Sequence, residues 1–139
     1  MKMRFLKVMI SLSVMSFSTA VLAVDCDSPP GGVGLDSAQA NLQCVERVQK
    51  ENDKKLNASY KKLLGILRDN SDEENFSHSQ LVSTERAWIA FRDAECELKA
   101  SLAGGAHQWR VVNQAQCISD MTAERTSQLN KYYEDASDN

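Results

Sequence analysis

Apolar side chains recur at helical spacing along three segments of this chain of 139 residues. Spacings of three, four or seven residues place side chains on one face of an α-helix. The three stripes are Leu42, Val45, Asn52, Leu56, Tyr60, Leu63 and Leu67; Leu81, Trp88, Phe91, Leu98 and Leu102; and Val111, Ala115, Ile118, Thr122, Arg125, Leu129 and Tyr132. The alternation that marks β-strands is missing. The pattern therefore predicts an all-α fold, an antiparallel bundle of three main helices in one domain.

Polar and glycine residues set the expected boundaries of these helices. The polar linker contains two capping boxes, which places the start of the second helix somewhere in 71–79. The boxes are Ser71 with Glu74 and Ser77 with Gln80. We expect Gly104 and Gly105 to end the second helix, because glycine readily adopts the left-handed conformation that terminates helices. The third helix then follows from about Trp109.

The N-terminus shows the three parts of a secretory signal peptide in their usual order. These parts are the cations Lys2, Arg4 and Lys7, the apolar stretch 8–17, and the small residues that end in Val21, Leu22 and Ala23. We therefore expect a Sec-type signal peptide over residues 1–23, with cleavage after Ala23. The protein is then periplasmic or secreted.

The rest of the chain divides into three expected parts. Residues 24–35 are rich in proline and glycine, which predicts an irregular N-terminal arm. Residues 36–134 carry the helical stripes and form the helical domain. The polar residues 135–139 are expected to form a disordered tail.

The charge of the exported part excludes some classes of partner. Without Lys2, Arg4 and Lys7, 13 lysines and arginines remain against 19 aspartates and glutamates, which gives a net charge of −6. An acidic domain without a basic cluster is a poor nucleic-acid binder, because neutralisation of phosphates dominates that affinity. A second apolar run long enough to cross a bilayer is missing, so we expect no membrane association after signal cleavage. The oligomeric state does not follow from the sequence.

Four cysteines lie in the exported part: Cys26, Cys44, Cys96 and Cys117. An even number in an oxidising compartment predicts two disulfides, whereas a metal site needs more closely spaced ligands. Cys96 lies eight residues before the glycine pair and Cys117 twelve residues after it, so antiparallel helices place them at similar heights. This predicts the bridge Cys96–Cys117 and leaves Cys26 to pair with Cys44.

Two polar residues of the third stripe, Thr122 and Arg125, should face the bundle. A guanidinium facing a core needs a carboxylate, because an unpaired buried charge is very costly. Asp53 is the first candidate for the partner of Arg125, and Asp93 or Glu95 of the second helix is the next. One interpretation is that these polar residues only fix the register of the helices.

The alternative interpretation gives these polar residues a binding function, in which Arg125 or Arg92 holds an anionic ligand in an open cleft.

The sequence contains only weak signs of a catalytic site. His78 lies in the polar linker and His107 in the glycine-rich turn, and neither has a nucleophile assigned beside it. We therefore predict a non-enzymatic protein without cofactor or metal.

Three runs of residues together resemble the LprI-type lysozyme-inhibitor domain, a family of small exported bacterial proteins. They are residues 52–64 (NDKKLNASYKKLL), 85–96 (ERAWIAFRDAEC) and 117–129 (CISDMTAERTSQL). The resemblance covers about residues 36–132 and implies an all-α, disulfide-bonded envelope protein that inhibits lysozyme. The matching positions are Asp53, Leu56, Asn57, Tyr60, Trp88, Phe91, Arg92, Cys96, Cys117, Thr122, Arg125 and Leu129. Physically, these residue types indicate packing and register.

Two hypotheses of function follow. The first is a periplasmic protein that binds and blocks a lysozyme or another cell-wall lytic enzyme. The second is a structural, stress-linked or immunity-like envelope protein that binds another periplasmic protein. Two sets of residues are candidates for partner contact: Asp72, Glu73, Glu74 and Phe76 in the acidic loop, and His107 and Trp109 in the turn. The simpler interpretation makes the loop a solvated linker and packs Trp109 onto the bundle.

Overall fold

The computed structural model describes residues 35–138. The elements in chain order are α1 (Leu35–Ile66), β1 (Asp69–Asn70), β2 (Asn75–Phe76), α2 (Ser77–Ala103) and α3 (His107–Ser137). The predicted three main helices are confirmed, and they pack together. The expected signal peptide and residues 24–34 of the expected arm lie outside the described residues, whereas Leu35, the predicted last residue of the arm, is the first residue of α1. Within the described part, no helix is both long enough and apolar enough to cross a membrane.

The chain runs up, down and up through α1, α2 and α3. Asn52 of α1 donates to Ser119 of α3 over 3.0 Å, and Lys62 lies 3.8 Å from the ring centre of Tyr133. Because both residue numbers rise together, α1 and α3 are parallel, and α2, which connects them along the chain, runs antiparallel to both. The largest interface joins α1 and α3, whereas α2 packs mainly on α3.

Leucines from all three helices form the core cluster. Leu56 and Leu63 of α1, Leu81 of α2 and Leu129 of α3 are buried against one another. Burying one such side chain stabilises the fold by about 1.5–3 kcal/mol. Ala136 packs on the same cluster. This contact explains why α3 continues to Ser137, past residue 134, where the sequence predicted the helical domain to end.

The predicted stripe of α2 is wrong in its second half. Phe91, Leu98 and Leu102 are 57%, 54% and 77% exposed. The residues of α2 that are buried are Leu81, Glu85, Cys96 and Ala100. Adjacent helical residues are about 100° apart around the axis, so a stripe that is offset by one or two residues turns to solvent. Packing mainly on α3 covers one face of α2 and leaves the apolar side chains of the opposite face exposed.

The bridge Cys96–Cys117 is confirmed, with Cα atoms 5.5 Å apart. It joins α2 to α3 at the height that the spacing from the glycine pair predicts. Cys44 is buried and is not a free thiol. Its predicted partner, Cys26, lies outside the described residues, so that second bridge stays a prediction.

Gly104 and Gly105 end α2 as expected. Both have positive φ, 68° and 84° respectively. The backbone N–H of Gly104 donates to the carbonyl of Ser101 over 3.3 Å. After this turn α3 begins at His107, two residues before the expected start.

The linker between α1 and α2 forms a small antiparallel hairpin, which the sequence analysis did not predict. Asp69 pairs with Phe76, and Asn70 pairs with Asn75. Because residues 71–74 are used in the turn of this hairpin, the first predicted capping box does not cap a helix. The second box fails as well. Its serine, Ser77, is the first residue of α2, so the capping position falls to Phe76, whose side chain forms no cap hydrogen bond.

Asp69 supplies the helix start in place of the predicted boxes. Its carboxylate accepts hydrogen bonds from the backbone N–H of Ser79, over 3.1 Å, and from the Ser79 hydroxyl. These hydrogen bonds, chiefly the one from the hydroxyl, lower the pKa of Asp69 below its usual value. The hairpin thus fixes a carboxylate at the N-terminus of α2, where the helix dipole favours negative charge.

Candidate functional site

Arg125 of α3 forms a buried ion pair with Glu85 of α2. Its Nε donates to Glu85 Oε2 over 3.0 Å, and its Nη2 lies 3.0 Å from the same oxygen. Only 6% and 8% of the two side chains are exposed. The predicted partners Asp53, Asp93 and Glu95 are therefore wrong. Glu85 follows Leu81 by four residues, and this spacing places it on the buried face of α2.

Arg92 forms a second polar cluster, seven residues beyond Glu85 on α2. Its Nε donates to Asp93 over 2.9 Å, and its Nη1 donates to Thr122 Oγ1 over 3.1 Å. Asp53 Oδ1 of α1 lies 4.0 Å from Nη1 of Arg92. Asp53 is thus positioned beside Arg92 and not beside Arg125. Arg92 of α2 thus contacts Asp53 of α1 and the buried Thr122 of α3, so this cluster links all three helices.

Trp88 lies between the two arginines. Its ring centre is 5.2 Å from the guanidinium carbon of Arg92 and 5.7 Å from that of Arg125. Both distances are within the range of cation–π attraction. The guanidinium groups are thus engaged inside the protein by carboxylates, a hydroxyl and an aromatic ring. Arg125 also lines a cleft of about 280 Å³, but its guanidinium is already paired with Glu85. The arrangement therefore favours helix register over the binding of an anion.

The remaining residues of the predicted register set separate into two groups. Leu56 and Leu129 are in the core cluster, and Tyr60 packs against it. Asn57 is exposed and donates to the backbone carbonyl of Asp53 over 2.9 Å. Asn57 therefore takes no part in the interior, and Phe91, as noted above, lies on the outer surface.

The two predicted contact sets lie at opposite ends of α2. The hairpin carries Asp72, Glu73, Glu74 and Phe76, all exposed. The start of α3 carries His107, exposed, and Trp109, partly buried. The 27 residues of α2 separate the two sets by about 40 Å, at 1.5 Å per residue. The structure does not bring them into one surface.

No hydrogen bond joins either histidine to a serine or cysteine in the described part of the chain. His78 lies at the first turn of α2, whereas His107 lies beyond its last turn. His107 lines a cleft of about 230 Å³ together with Ser101 and Glu97, but these side chains form no hydrogen bond with one another, as a nucleophile and its base would. No group of three or more residues with metal-ligand chemistry occurs among residues 35–138.

A cleft of about 440 Å³ lies between α2 and α3, and the sequence analysis missed it. Its walls carry Phe91 and Met121, the carboxylates of Glu95, Asp120 and Glu124, and the ammonium of Lys99. The Met121 sulfur lies 3.5 Å from that of Cys96, so the disulfide supports the cleft from below. Acidic residues at similar heights on α2 and α3 could have indicated this cleft, but only if the faces that the two helices turn towards each other had been known.

The fold and its polar interior define a small helical domain cross-linked by a disulfide and aligned by internal ion pairs. The model of the family described as lysozyme inhibitor LprI matches residues 34–129. The chain belongs to this family, as the resemblance of residues 36–132 indicated. It is also 25% identical over 134 residues to an uncharacterized protein of Rhizobium meliloti (strain 1021), covering 91% of this chain and 94% of that protein. No solved structure matches it significantly.

Proposed function

We propose that this protein is an exported inhibitor that binds a lysozyme or another cell-wall lytic enzyme and blocks its cleft, without chemistry of its own. The observation that carries the proposal is membership of the LprI family over residues 34–129. The periplasm is the compartment in which such an inhibitor meets its target. The signal peptide expected over residues 1–23 delivers the protein there.

The charge supports this proposal. Many lysozymes are cationic, and a domain with a net charge of −6 after removal of residues 1–23 is attracted to them at low salt. The interior supports it too, because Arg92 and Arg125 are engaged within the protein. The target enzyme is therefore recognised by the outer surface of the protein, which carries most of its carboxylates.

A lysis assay tests the proposal. The oxidised protein, without residues 1–23, is added to lysozymes of several types, and the clearing of a bacterial wall suspension is followed at low and moderate salt. We expect inhibition of at least one type. The inhibition should weaken as the salt concentration rises, because salt screens the attraction between exposed charges. The same protein, first reduced in denaturant and then alkylated, is the control. If no type is inhibited by a molar excess, the proposal is rejected in favour of the structural or immunity-like alternative.

A further inference from the structure

One face of α2 is apolar and uncovered. Phe91, Leu98 and Leu102 are all more than half exposed. Their spacing of seven and four residues aligns them, and the exposed Ala87 and Ala94 continue the same line. We call this line the α2 outer face. A contiguous exposed apolar strip of this kind is typical of an interaction site, whereas single exposed apolar residues are ordinary.

The α2 outer face is held outward by the disulfide. Cys96 is fully buried and bonded to Cys117 of α3. Leu98 follows Cys96 by two residues and therefore points about 200° away around the helix. Rotating α2 to bury Leu98 would break the bridge and also the buried pair of Glu85 with Arg125. Neither α1 nor α3 can therefore cover this face.

An acidic edge borders the α2 outer face on the side of α3. The cleft next to Phe91 contains the carboxylates of Glu95, Asp120 and Glu124 against one ammonium, that of Lys99. Lys99 already lies 3.4 Å from Glu95 on its own helix. The edge is thus negative beside an apolar strip.

This charge selects among possible occupants. A second copy docked through the same face would bring Asp120 and Glu124 towards their own counterparts, and like charges at an interface cost affinity. A basic protein surface, by contrast, offers lysine and arginine side chains to the carboxylates, and Phe91 attracts a cation through its ring.

We infer that the cationic lytic enzyme docks on the α2 outer face and its acidic edge, and not on the hairpin or on the turn before α3. This inference rests on the proposed function and names the surface that performs it. The apolar strip supplies burial, and Asp120 and Glu124 supply attraction to basic side chains. The disulfide keeps both in one fixed arrangement.

Paired variants test the surface with the full oxidised protein and a cationic lysozyme that it inhibits. Leu98→Ser/Leu102→Ser removes the apolar strip, and Val48→Ser/Ile66→Ser is its control on exposed apolar residues of α1. Asp120→Asn/Glu124→Gln removes two charges from the edge, and Glu46→Gln/Glu134→Gln removes two exposed charges elsewhere. Circular dichroism verifies that each variant folds.

We expect both face variants to raise the half-inhibitory concentration by at least about tenfold, corresponding to about 1.4 kcal/mol. The two controls are expected to change it less than about twofold, corresponding to about 0.4 kcal/mol. If the face variants inhibit as well as the wild type, the inference is wrong while the proposed function stands. Loss confined to Glu73→Gln/Glu74→Gln places the contact at the hairpin and also overturns it.

Two further outcomes are informative. Sedimentation velocity is expected to show the same mass for the wild type and for Leu98→Ser/Leu102→Ser. A wild-type dimer that this variant dissociates assigns the face to a second copy and overturns the inference. A wild type that inhibits no lysozyme rejects the proposed function itself, and the docking inference falls with it.

Discussion

Glu85 of α2 accepts a hydrogen bond from Arg125 of α3 in the protein interior, with Oε2 3.0 Å from Nε. The other carboxylate oxygen, Oε1, is buried and has no hydrogen-bond partner among the described residues. The loss of hydration on burying this pair is therefore only partly offset. Such a pair fixes the alignment of two helices more than it adds to their stability.

Removing one member of the pair should be much more harmful than removing both. We expect Arg125→Leu or Glu85→Leu alone to lower the free energy of unfolding by about 3–5 kcal/mol, because each leaves a buried charge unpaired. The double variant should recover most of that loss, since leucine fills the space without a polar group. Urea unfolding of the four proteins measures the coupling. A double variant that loses the sum of the two single effects would contradict the pairing.

The partner of Arg125 depends on which of two faces of α2 points inward, and the sequence analysis identified only one of them. Leu81 and Trp88 belong to both. Hydrophobicity alone selects the face that continues through Phe91 and Leu98, but the structure buries the one that contains Glu85 and Cys96. An apolar stripe does not identify the buried face of a helix that packs mainly on one neighbour, because the buried face is then narrow and can include polar side chains.

Local signals, by contrast, were sufficient for the overall fold. The glycine pair, the spacing of Cys96 and Cys117, and the long apolar stripes of α1 and α3 each depend on nearby residues only. The predicted bridge could also have indicated which face of α2 points inward. Because Cys96 must point towards α3, Leu98 must point away from it. The surface that we propose for docking was not predictable, since it depends on the rotation of α2 relative to α3.

The bridge between Cys96 and Cys117 should contribute measurably to stability. It closes a loop with a sequence separation of 21 residues. The chain-entropy model assigns about 3 kcal/mol to a loop of that size, so we expect Cys96→Ala/Cys117→Ala to lose about that much in urea unfolding. The slope with urea should increase, because the released unfolded chain exposes more surface. Unchanged stability would indicate that the bridge does not constrain the unfolded chain.

Two glycines provide a matched pair of alanine substitutions. Added methyl groups at Gly65 and at Gly104 would meet nothing within 4 Å, so crowding is the same at both sites. Only Gly104 has a positive φ, 68°. We expect Gly104→Ala to destabilise the protein by about 1–3 kcal/mol through backbone strain. Gly65→Ala, inside α1, should instead stabilise it by about 0.5–1 kcal/mol. Thermal unfolding of both variants checks the opposite signs.

The carboxylate of Asp69 should make the start of α2 sensitive to acid. Hydrogen bonds from Ser79 lower its pKa in the folded state below the ordinary value of 3.8. The unfolded chain therefore binds this proton more readily than the folded chain. The stabilisation by Asp69 is complete above about pH 4 and is lost as the pH falls through the lowered pKa.

Asp69→Asn tests this expectation, because asparagine keeps the shape but does not carry the charge. We expect the variant to have a lower melting temperature than the wild type at neutral pH, and the difference to shrink as the pH is lowered to about 2. Ser79→Ala is the matched control, since it removes the hydroxyl that contributes most to the lowered pKa and should reduce the pH dependence in the same range. A difference between Asp69→Asn and the wild type that stays constant with pH would show that the charge of Asp69 does not stabilise the start of α2.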